Sequence, residues 1–309
     1  MATPVNDGMN KKVIQDDSTS EPPLVVVVGP TASGKSATAM RIAEEYNGEI
    51  ICADSRTIYK GMDIGTAKPT AADRAAIPHW GLDLVEPGET FTAADFKYFA
   101  QQKIAEIRAR GHLPMLVGGT GLYVDGVIFD YDFVNPAPEL RAKLEQMSLE
   151  ELVEYCKNNN VSLPENQQNR RYVIRAIERQ NVSGKRLAEP IPNTIIVGIA
   201  TERDELRTRI AGRAEQLFET GMVEEAKILG EKYGWNSEAM TGNIYRLVKQ
   251  YLDGEFDEKE LQERFIISDW QLAKRQITWL KRNPFIVWKS LDEAYTYIKS
   301  NLESLQKSE

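Results

Sequence analysis

The sequence is poor in cysteine and histidine. Its 309 residues include two cysteines, Cys52 and Cys156, and two histidines, His79 and His112. The cysteines lie far apart and form no CxxC pair, so we expect neither a disulfide framework nor a cysteine-based zinc site. The histidines are too few and too separated for a catalytic triad or a metal cluster, and His79, which follows Pro78, fits a structural role.

The sequence also lacks any apolar run long enough to cross a bilayer. Its first residues contain no apolar signal segment, and Asp7, Asp16 and Asp17 are untypical of a transit peptide. These absences argue against a membrane-embedded protein. We therefore expect a cytoplasmic protein with no membrane partner, and we expect it to act as a monomer.

Basic side chains are outnumbered overall but concentrated locally. The formal net charge is −8, which by itself argues weakly against a nucleic-acid partner. Residues 264–289 nevertheless contain six Lys or Arg and one acid, and a second basic cluster consists of Arg170, Arg171, Arg175 and Arg179. Such patches on an acidic protein are compatible with selective RNA binding, and solvated helix faces are the alternative.

The strongest local pattern is a glycine-rich loop between an apolar strand and a helix. The run Leu24–Val28 stops at Gly29, and GPTASGKS has the spacing of a P-loop. Backbone N–H groups of such a loop bind phosphate oxygens, Lys35 can reach a terminal phosphate, and Ser36 can ligate Mg²⁺. A glycine-rich turn without a ligand is the alternative. The predicted phosphate-binding residues of the loop are Gly29, Thr31, Ala32, Ser33, Gly34, Lys35 and Ser36.

Strand and helix patterns alternate along the chain. Helical spacing follows several of the apolar runs, which predict strands at residues 24–28, 49–53, 113–117, 195–200 and 285–288. This alternation predicts an α/β fold with a parallel sheet flanked by helices, as in P-loop NTPases. Thr92-x-x-Asp95 and Thr201-x-x-Asp204 have the spacing of helix N-termini. A helical C-terminal region is expected to complete the fold.

The chain divides into a tail, a core and an insertion. Residues 1–22 are polar and predict a disordered tail. Residues 23–134 and 189–309 are expected to form the P-loop core. Residues 135–188 are charged and poor in strand patterns, which predicts a small helical insertion.

Polar side chains follow other strands of the predicted sheet. Asp54 follows the second strand and Thr120 the third, so both are expected at the same edge of the sheet as the P-loop. A carboxylate there can take a proton from a nucleophile or hold Mg²⁺ through water, and a hydroxyl can bind a transferring group. Arg209 and Arg213 share one helix face and can clamp a diphosphate. A turn-capping Asp, a tight glycine turn and solvated arginines are the alternatives.

Eight longer strings point to one family. The first five are GPTASGKS, DSRTIYKGMDIGTAKP, PHWGLDLVEP, FTAADF and LVGGTGLY, and the later three are NRRYVIRAIE, TRIAGRAEQLFETGMVEEA and QLAKRQITWL. Together they resemble the bacterial tRNA dimethylallyltransferase (tRNA isopentenylpyrophosphate transferase) family. The likeness covers nearly all of the chain after about Leu24, and KGMDIGTAKP is far more specific than the P-loop.

The resemblance implies a reaction. A dimethylallyl group moves from dimethylallyl diphosphate to the exocyclic amine of the adenosine just 3′ of a tRNA anticodon. The P-loop would hold the leaving diphosphate with Mg²⁺, which Ser36 would ligate, and would not use ATP for phosphoryl transfer. The target base would leave its stack to reach the site, as enzymes that act on bases generally require.

The same resemblance implies roles for individual residues. Asp54 would be the general base on the adenine amine, Thr120 would lie at the reacting centre, and Lys35 would neutralise the leaving group. Arg209 or Arg213 would bind the diphosphate. The implied tRNA-binding residues are Asp54, Ser55, Arg56, Thr57, Thr120, Arg141, Arg171, Arg175, Lys274, Arg275, Gln276 and Lys281.

Three positions depart from the family pattern. Asp269-Trp270 stands where the family usually has Thr-Arg, Asn243-Ile244 replaces Ile-Gly, and Thr57 replaces a frequent Gln. These positions lie in regions expected to contact tRNA. We therefore expect these departures to bear on tRNA affinity and on the choice of target tRNA more than on the chemical step.

Three other functions remain open at this stage. A P-loop small-molecule kinase would transfer phosphate from ATP, but KGMDIGTAKP and the basic helix at 268–282 have no role in it. A prenyltransferase acting on free adenine nucleotides would not need that helix either. A non-catalytic P-loop protein that binds RNA or acts as a switch is disfavoured by Asp54 and Thr120 beside an intact Lys35-Ser36.

Overall fold

A computed structural model of the chain describes residues 21–133, 138–180 and 185–306. Residues 1–20 of the predicted tail lie outside the described residues. The last two residues of the predicted tail, Glu21 and Pro22, belong to the described part of the chain. Their carbonyl oxygens accept hydrogen bonds from Asn193 and Arg108, which attach this segment to the body.

The described residues contain a six-stranded sheet in which every strand pair is parallel. The strands are β1 (Leu24–Val28), β2 (Gly48–Cys52), β3 (His79–Trp80), β4 (Leu113–Gly118), β5 (Thr194–Ile199) and β6 (Val287–Lys289). Their order across the sheet is β3-β2-β4-β1-β5-β6. The P-loop strand β1 therefore lies between β4 and β5, and the segments that follow β1, β2 and β4 meet at one edge.

The same part of the chain contains twelve α-helices. They are α1 (Lys35–Glu45), α2 (Ala71–Ala76), α3 (Ala93–Ala109), α4 (Gly121–Ile128), α5 (Pro138–Gln146), α6 (Leu149–Asn158), α7 (Arg170–Arg179), α8 (Arg203–Glu219), α9 (Met222–Tyr233), α10 (Asn243–Leu252), α11 (Glu258–Leu280) and α12 (Leu291–Gln306). Among the helices of residues 21–133, 138–180 and 185–306, none combines the length and apolarity that a membrane span requires.

The apolar run of β1 is continuous because both faces of the sheet are covered. Val26 packs in a cluster with Phe96 of α3 on one face, whereas Val25 packs with Ile42 of α1 and Ile298 of α12 on the other. All five residues of β1 are fully buried. The central strand is thus fixed from both sides, which holds the loop after it in place.

The predicted strands are confirmed, with shifts of one or two residues at some ends. Between β2 and α3, where no strand or helix was predicted, the structure also contains α2 and the two-residue strand β3. Thr92 caps α3 in a capping box with Asp95, as the sequence indicated. Helix α8 begins after Glu202 without a side-chain cap, so Thr201 does not start it.

Helices α5, α6 and α7 pack around a small core of their own. Its buried members are Leu144, Leu152, Cys156, Val161, Val173, Ile174 and Ile177. The first boundary of the predicted insertion 135–188 lies outside the described residues, as do residues 181–184 within it. The boundaries of a separate domain therefore stay a prediction.

A further cluster attaches the segment after β2 to helices α8 to α11. Ile58 and Met62 of that segment pack against Met222, Tyr245 and Phe265. A smaller cluster of residues from α8 and α11 packs against Ala32 of the loop after β1. Two helices from the last third of the chain therefore help to form the site.

Candidate active site

A cavity of about 660 Å³ lies at the carboxyl edge of the sheet. Its wall contains fourteen of the predicted site residues: Thr31, Ala32, Ser33, Gly34, Lys35, Ser36, Asp54, Ser55, Arg56, Thr57, Thr120, Arg213, Arg275 and Gln276. Seven others lie in the described part of the chain outside this wall: Gly29, Arg141, Arg171, Arg175, Arg209, Lys274 and Lys281. The structure thus brings the predicted chemistry into one place.

Two residues of the P-loop have a left-handed backbone conformation. Gly34 has φ +89°, and Ala32 also has a positive φ of 60°. The ammonium group of Lys35 donates to the carbonyl oxygen of Pro30 over 3.1 Å, and burial lowers its pKa to about 8. The hydroxyl oxygen of Ser33 is buried and has no hydrogen-bond partner among the described residues. The loop therefore presents a positive charge and an unsatisfied hydroxyl.

The two arginines of α8 that were predicted to bind diphosphate make different contacts. Arg213 lines the cavity and donates to the hydroxyl of Thr31. The guanidinium of Arg209 instead donates to the carbonyl oxygen of Ser33 over 2.9 Å and pairs with Glu205. Of the two predicted diphosphate ligands, Arg213 is thus the one whose side chain reaches the cavity, and Arg209 supports the loop.

Asp54 and Thr120 are linked through the turn that follows β2. The Asp54 carboxylate accepts the backbone N–H of Arg56 over 2.8 Å, which is the turn-capping contact considered as its alternative role. The hydroxyl oxygen of Thr120 accepts the backbone N–H of Ser55 over 3.1 Å. Both side chains still line the cavity. The capping bond therefore fixes the carboxylate there.

Gln276 contacts the P-loop. Its side-chain oxygen accepts the backbone N–H of Thr31 over 2.8 Å. A Cβ at Gly119 would collide with the same amide group, so the glycine lets the segment after β4 approach α11 closely. The family resemblance implies that Gln276 binds tRNA, and in this structure its side-chain oxygen also holds the backbone of the P-loop.

The segment KGMDIGTAKP is held by two sets of polar contacts. The Glu225 carboxylate of α9 accepts the backbone N–H groups of Asp63, Ile64 and Gly65 and the hydroxyl of Tyr245. Within the segment, the buried ammonium of Lys68 donates to the Asp63 and Asp83 carboxylates. These contacts fix the segment's last part in the cavity wall.

Replacing Glu225 by Gln should lower the free energy of unfolding by about 2 kcal/mol. The side-chain NH₂ group of Gln would replace one of the two oxygens that now accept hydrogen bonds from the backbone N–H groups. Urea unfolding measures this. The control is Glu224→Gln, an exposed neighbour on the same helix, and it should leave the unfolding midpoint unchanged. Equal midpoints for the two variants would contradict this role of Glu225.

The predicted tRNA contacts outside the cavity form two groups. Lys274 is exposed on α11 beside the cavity residue Arg275, and Lys281 is exposed directly after the helix. On the three-helix part, Arg141 pairs with Glu145 and Glu178, and Arg171 pairs with Glu238 over 3.2 Å. Burial and the charges of Arg171 and Arg179 lower the pKa of Arg175.

Sequence reasoning missed Asp269 as a site residue. It noted this residue only as a departure from the family pattern, yet Asp269 lines the cavity and is 3% exposed. The spacing could have indicated that Asp269 is buried. Phe265, Asp269 and Ala273 follow one another every four residues on the buried stripe of α11. Asn243, another departure, also lines the cavity.

The fold and this site define a P-loop protein with a carboxylate and a hydroxyl beside its phosphate loop. The model of the IPP transferase family matches residues 57–283. The chain belongs to that family.

Individual relatives agree with this assignment over most of their length. The tRNA dimethylallyltransferase of Bacillus licheniformis is 35% identical over 92% of this chain and 99% of its own. The crystal structure of the tRNA isopentenylpyrophosphate transferase from Bacillus halodurans matches with a TM-score of 0.71 at 34% identity, covering 93% of this chain and 99% of that one. The Staphylococcus epidermidis tRNA delta(2)-isopentenylpyrophosphate transferase matches with a TM-score of 0.69 at 30% identity, covering 94% and 100%.

Proposed function

We propose that this chain transfers a dimethylallyl group from dimethylallyl diphosphate to the exocyclic amine of the adenosine 3′ of a tRNA anticodon. Family membership, relatives named tRNA dimethylallyltransferase, and the cavity that joins the P-loop to Asp54 and Thr120 support this proposal. The observation that carries it is the convergence of Lys35, Arg213 and Asp54 on one cavity.

The chemistry follows from the charges in that cavity. A bond forms between the amine nitrogen and the allylic carbon, and the bond from that carbon to the diphosphate oxygen breaks. The negative charge that develops on the leaving diphosphate is stabilised by the loop N–H groups, Lys35 and Arg213. Asp54 takes the proton that the amine loses. Thr120 donates its hydroxyl hydrogen toward the reacting groups.

The cavity also has an apolar part. Ile244, Phe265 and Leu272 belong to its wall. A five-carbon hydrocarbon chain is stabilised by such a surface, because its burial removes apolar area from water.

Mg²⁺ is the cation that suits these residues. Ser36 is exposed in the cavity wall next to Lys35. Within the described ranges, no group of three or more His, Cys, Asp or Glu side chains is placed to hold a metal. Mg²⁺ fits such a site, since it is commonly bound by one or two protein oxygens together with substrate phosphates and water. Ser36 would hold it, and the ion supplies further neutralisation of the leaving group.

The proposal is tested by incubating the protein with labelled dimethylallyl diphosphate, Mg²⁺ and either tRNA or AMP. A parallel reaction with labelled ATP reports phosphoryl transfer. We expect label in tRNA and none in AMP. Label in AMP alone would move the acceptor to a free nucleotide, and phosphoryl transfer without prenyl transfer would replace the proposal by a kinase.

The exposed basic residues of α11 are expected to bind the tRNA backbone. Neutralising Lys274 and Arg275 together should weaken tRNA binding and make the plot of log affinity against log salt shallower by about 1.5, since each lost phosphate contact removes about 0.7 to 0.9. Binding isotherms at several salt concentrations measure this slope. Neutralising the exposed Lys227 and Lys259 is the charge-matched control. An unchanged slope in the variant that lacks the charges of Lys274 and Arg275 would mean that α11 does not contact the RNA backbone.

A further inference from the structure

Asp269 is a buried carboxylate in the wall of the phosphate cavity. The residue is 3% exposed, and its Oδ2 atom has no hydrogen-bond partner among the residues that the structure describes. An unpaired carboxylate oxygen is costly to bury, and each such group calls for an explanation. An apolar side chain such as that of Ala273, one turn later on the same buried stripe of α11, would avoid this cost.

The charges that face Asp269 come from three elements. Arg213 of α8 and Lys35 of the P-loop attract the carboxylate, and Asp54, which follows β2, repels it. Arg213 has an unpaired atom of its own, because its buried Nε has no partner in the described chain. The carboxylate is thus placed among the same two cations that would receive a diphosphate.

We propose that Asp269 weakens the binding of diphosphate by competing for Arg213 and Lys35. The residue thereby makes the site discriminate between free diphosphate and a donor that also carries a hydrocarbon chain. The inference rests on the proposed function only in taking the P-loop cavity as the diphosphate site. A diphosphate that enters brings negative charge close to a carboxylate in a partly dehydrated site, where like charges repel strongly. Donor binding then depends more on the hydrocarbon chain, and the product diphosphate leaves more easily.

The proposal has a pH signature. Burial raises the pKa of Asp269, so the carboxylate takes up a proton at a higher pH than an exposed Asp. Its folded-state pKa is raised, so the negative charge is present above that pKa and is lost as the pH falls through it. The competition is therefore strongest at neutral pH and fades in acid.

The test measures the affinity for inorganic diphosphate, with Mg²⁺, by calorimetry at pH 7.5 and pH 5.5. Asp269→Asn keeps the shape of the side chain and removes its charge, and it should bind about tenfold more tightly than wild type at pH 7.5. Asp269→Thr, which introduces the residue usual in the family, should do the same. Both gains should shrink at pH 5.5.

The control is Glu215→Gln, which removes an exposed negative charge from α8 two residues after Arg213. Its affinity should stay within about twofold of wild type, because an exposed charge is screened. Thermal unfolding shows whether each variant folds, and Asp269→Thr serves if Asp269→Asn does not.

Unchanged or weaker diphosphate binding in folded Asp269 variants at pH 7.5 would overturn the inference. The proposed function can fail separately. If the Asp269 variants bind diphosphate more tightly but the wild-type protein never prenylates tRNA, the inference holds and the reaction is wrong. If tRNA is prenylated but the variants bind no more tightly, only the inference fails.

Discussion

Asp54→Asn should slow prenyl transfer by at least about a hundredfold, the typical contribution of a general base. The amide oxygen of Asn can still accept the backbone N–H of Arg56, so the turn after β2 is expected to persist. The amide cannot take the proton from the adenine amine. The measurement is the single-turnover rate at saturating tRNA and dimethylallyl diphosphate, together with the tRNA dissociation constant.

The two readouts separate catalysis from binding. We expect tRNA affinity of Asp54→Asn within about threefold of wild type, because the variant loses a proton acceptor rather than a cation that binds RNA. Asp204→Asn, at the exposed start of α8, is the control and should react at the wild-type rate. A full rate in Asp54→Asn would mean that another group takes the proton.

Lys35→Met should reduce kcat/KM for the donor by about a hundredfold to a thousandfold, the range found when a group that stabilises developing charge is removed. Methionine has a similar length but no charge, so the leaving diphosphate would keep only Arg213 and the loop N–H groups. Steady-state rates at varied dimethylallyl diphosphate measure the effect. Lys60→Met, at an exposed lysine that pairs with Glu86, is the control.

The same lysine predicts a loss of affinity in mild alkali. Its pKa in the free protein is lowered to about 8, and a bound diphosphate favours the protonated form. Affinity for inorganic diphosphate should therefore be highest below pH 8 and fall as the pH rises through that value. In Lys35→Met this fall should disappear. An identical alkaline fall in the variant would assign it to another group.

Local patterns predicted the parts of the fold that depend on local sequence. The apolar run of β1, the spacing of GPTASGKS and the capping box at Thr92 and Asp95 each need only a few consecutive residues, and the structure confirms all three. Strand β3 could not be found in this way, because its two residues are a strand only through pairing with β2. Tertiary pairing decided that segment.

In the site, too, local sequence predicted some features and tertiary packing decided the others. Asp54, Thr120 and the P-loop follow strand ends, so the topology of a parallel sheet was enough to bring them together. Arg209 and Arg213 share a helix face, and only the position of α8 against the P-loop decides which one enters the cavity. The contact of Gln276 with Thr31 spans 245 residues of sequence. No spacing rule covers such a distance.

The central claim is that the P-loop cavity holds a prenyl donor whose diphosphate leaves as the tRNA base is alkylated. Diphosphate release and dimethylallyladenosine formation, measured in one reaction with tRNA and dimethylallyl diphosphate, test it most directly. We predict one diphosphate released for each modified adenosine, and neither product in Asp54→Asn above about one hundredth of the wild-type rate. Diphosphate release without modified adenosine, or modified adenosine at the full rate in Asp54→Asn, would contradict this account.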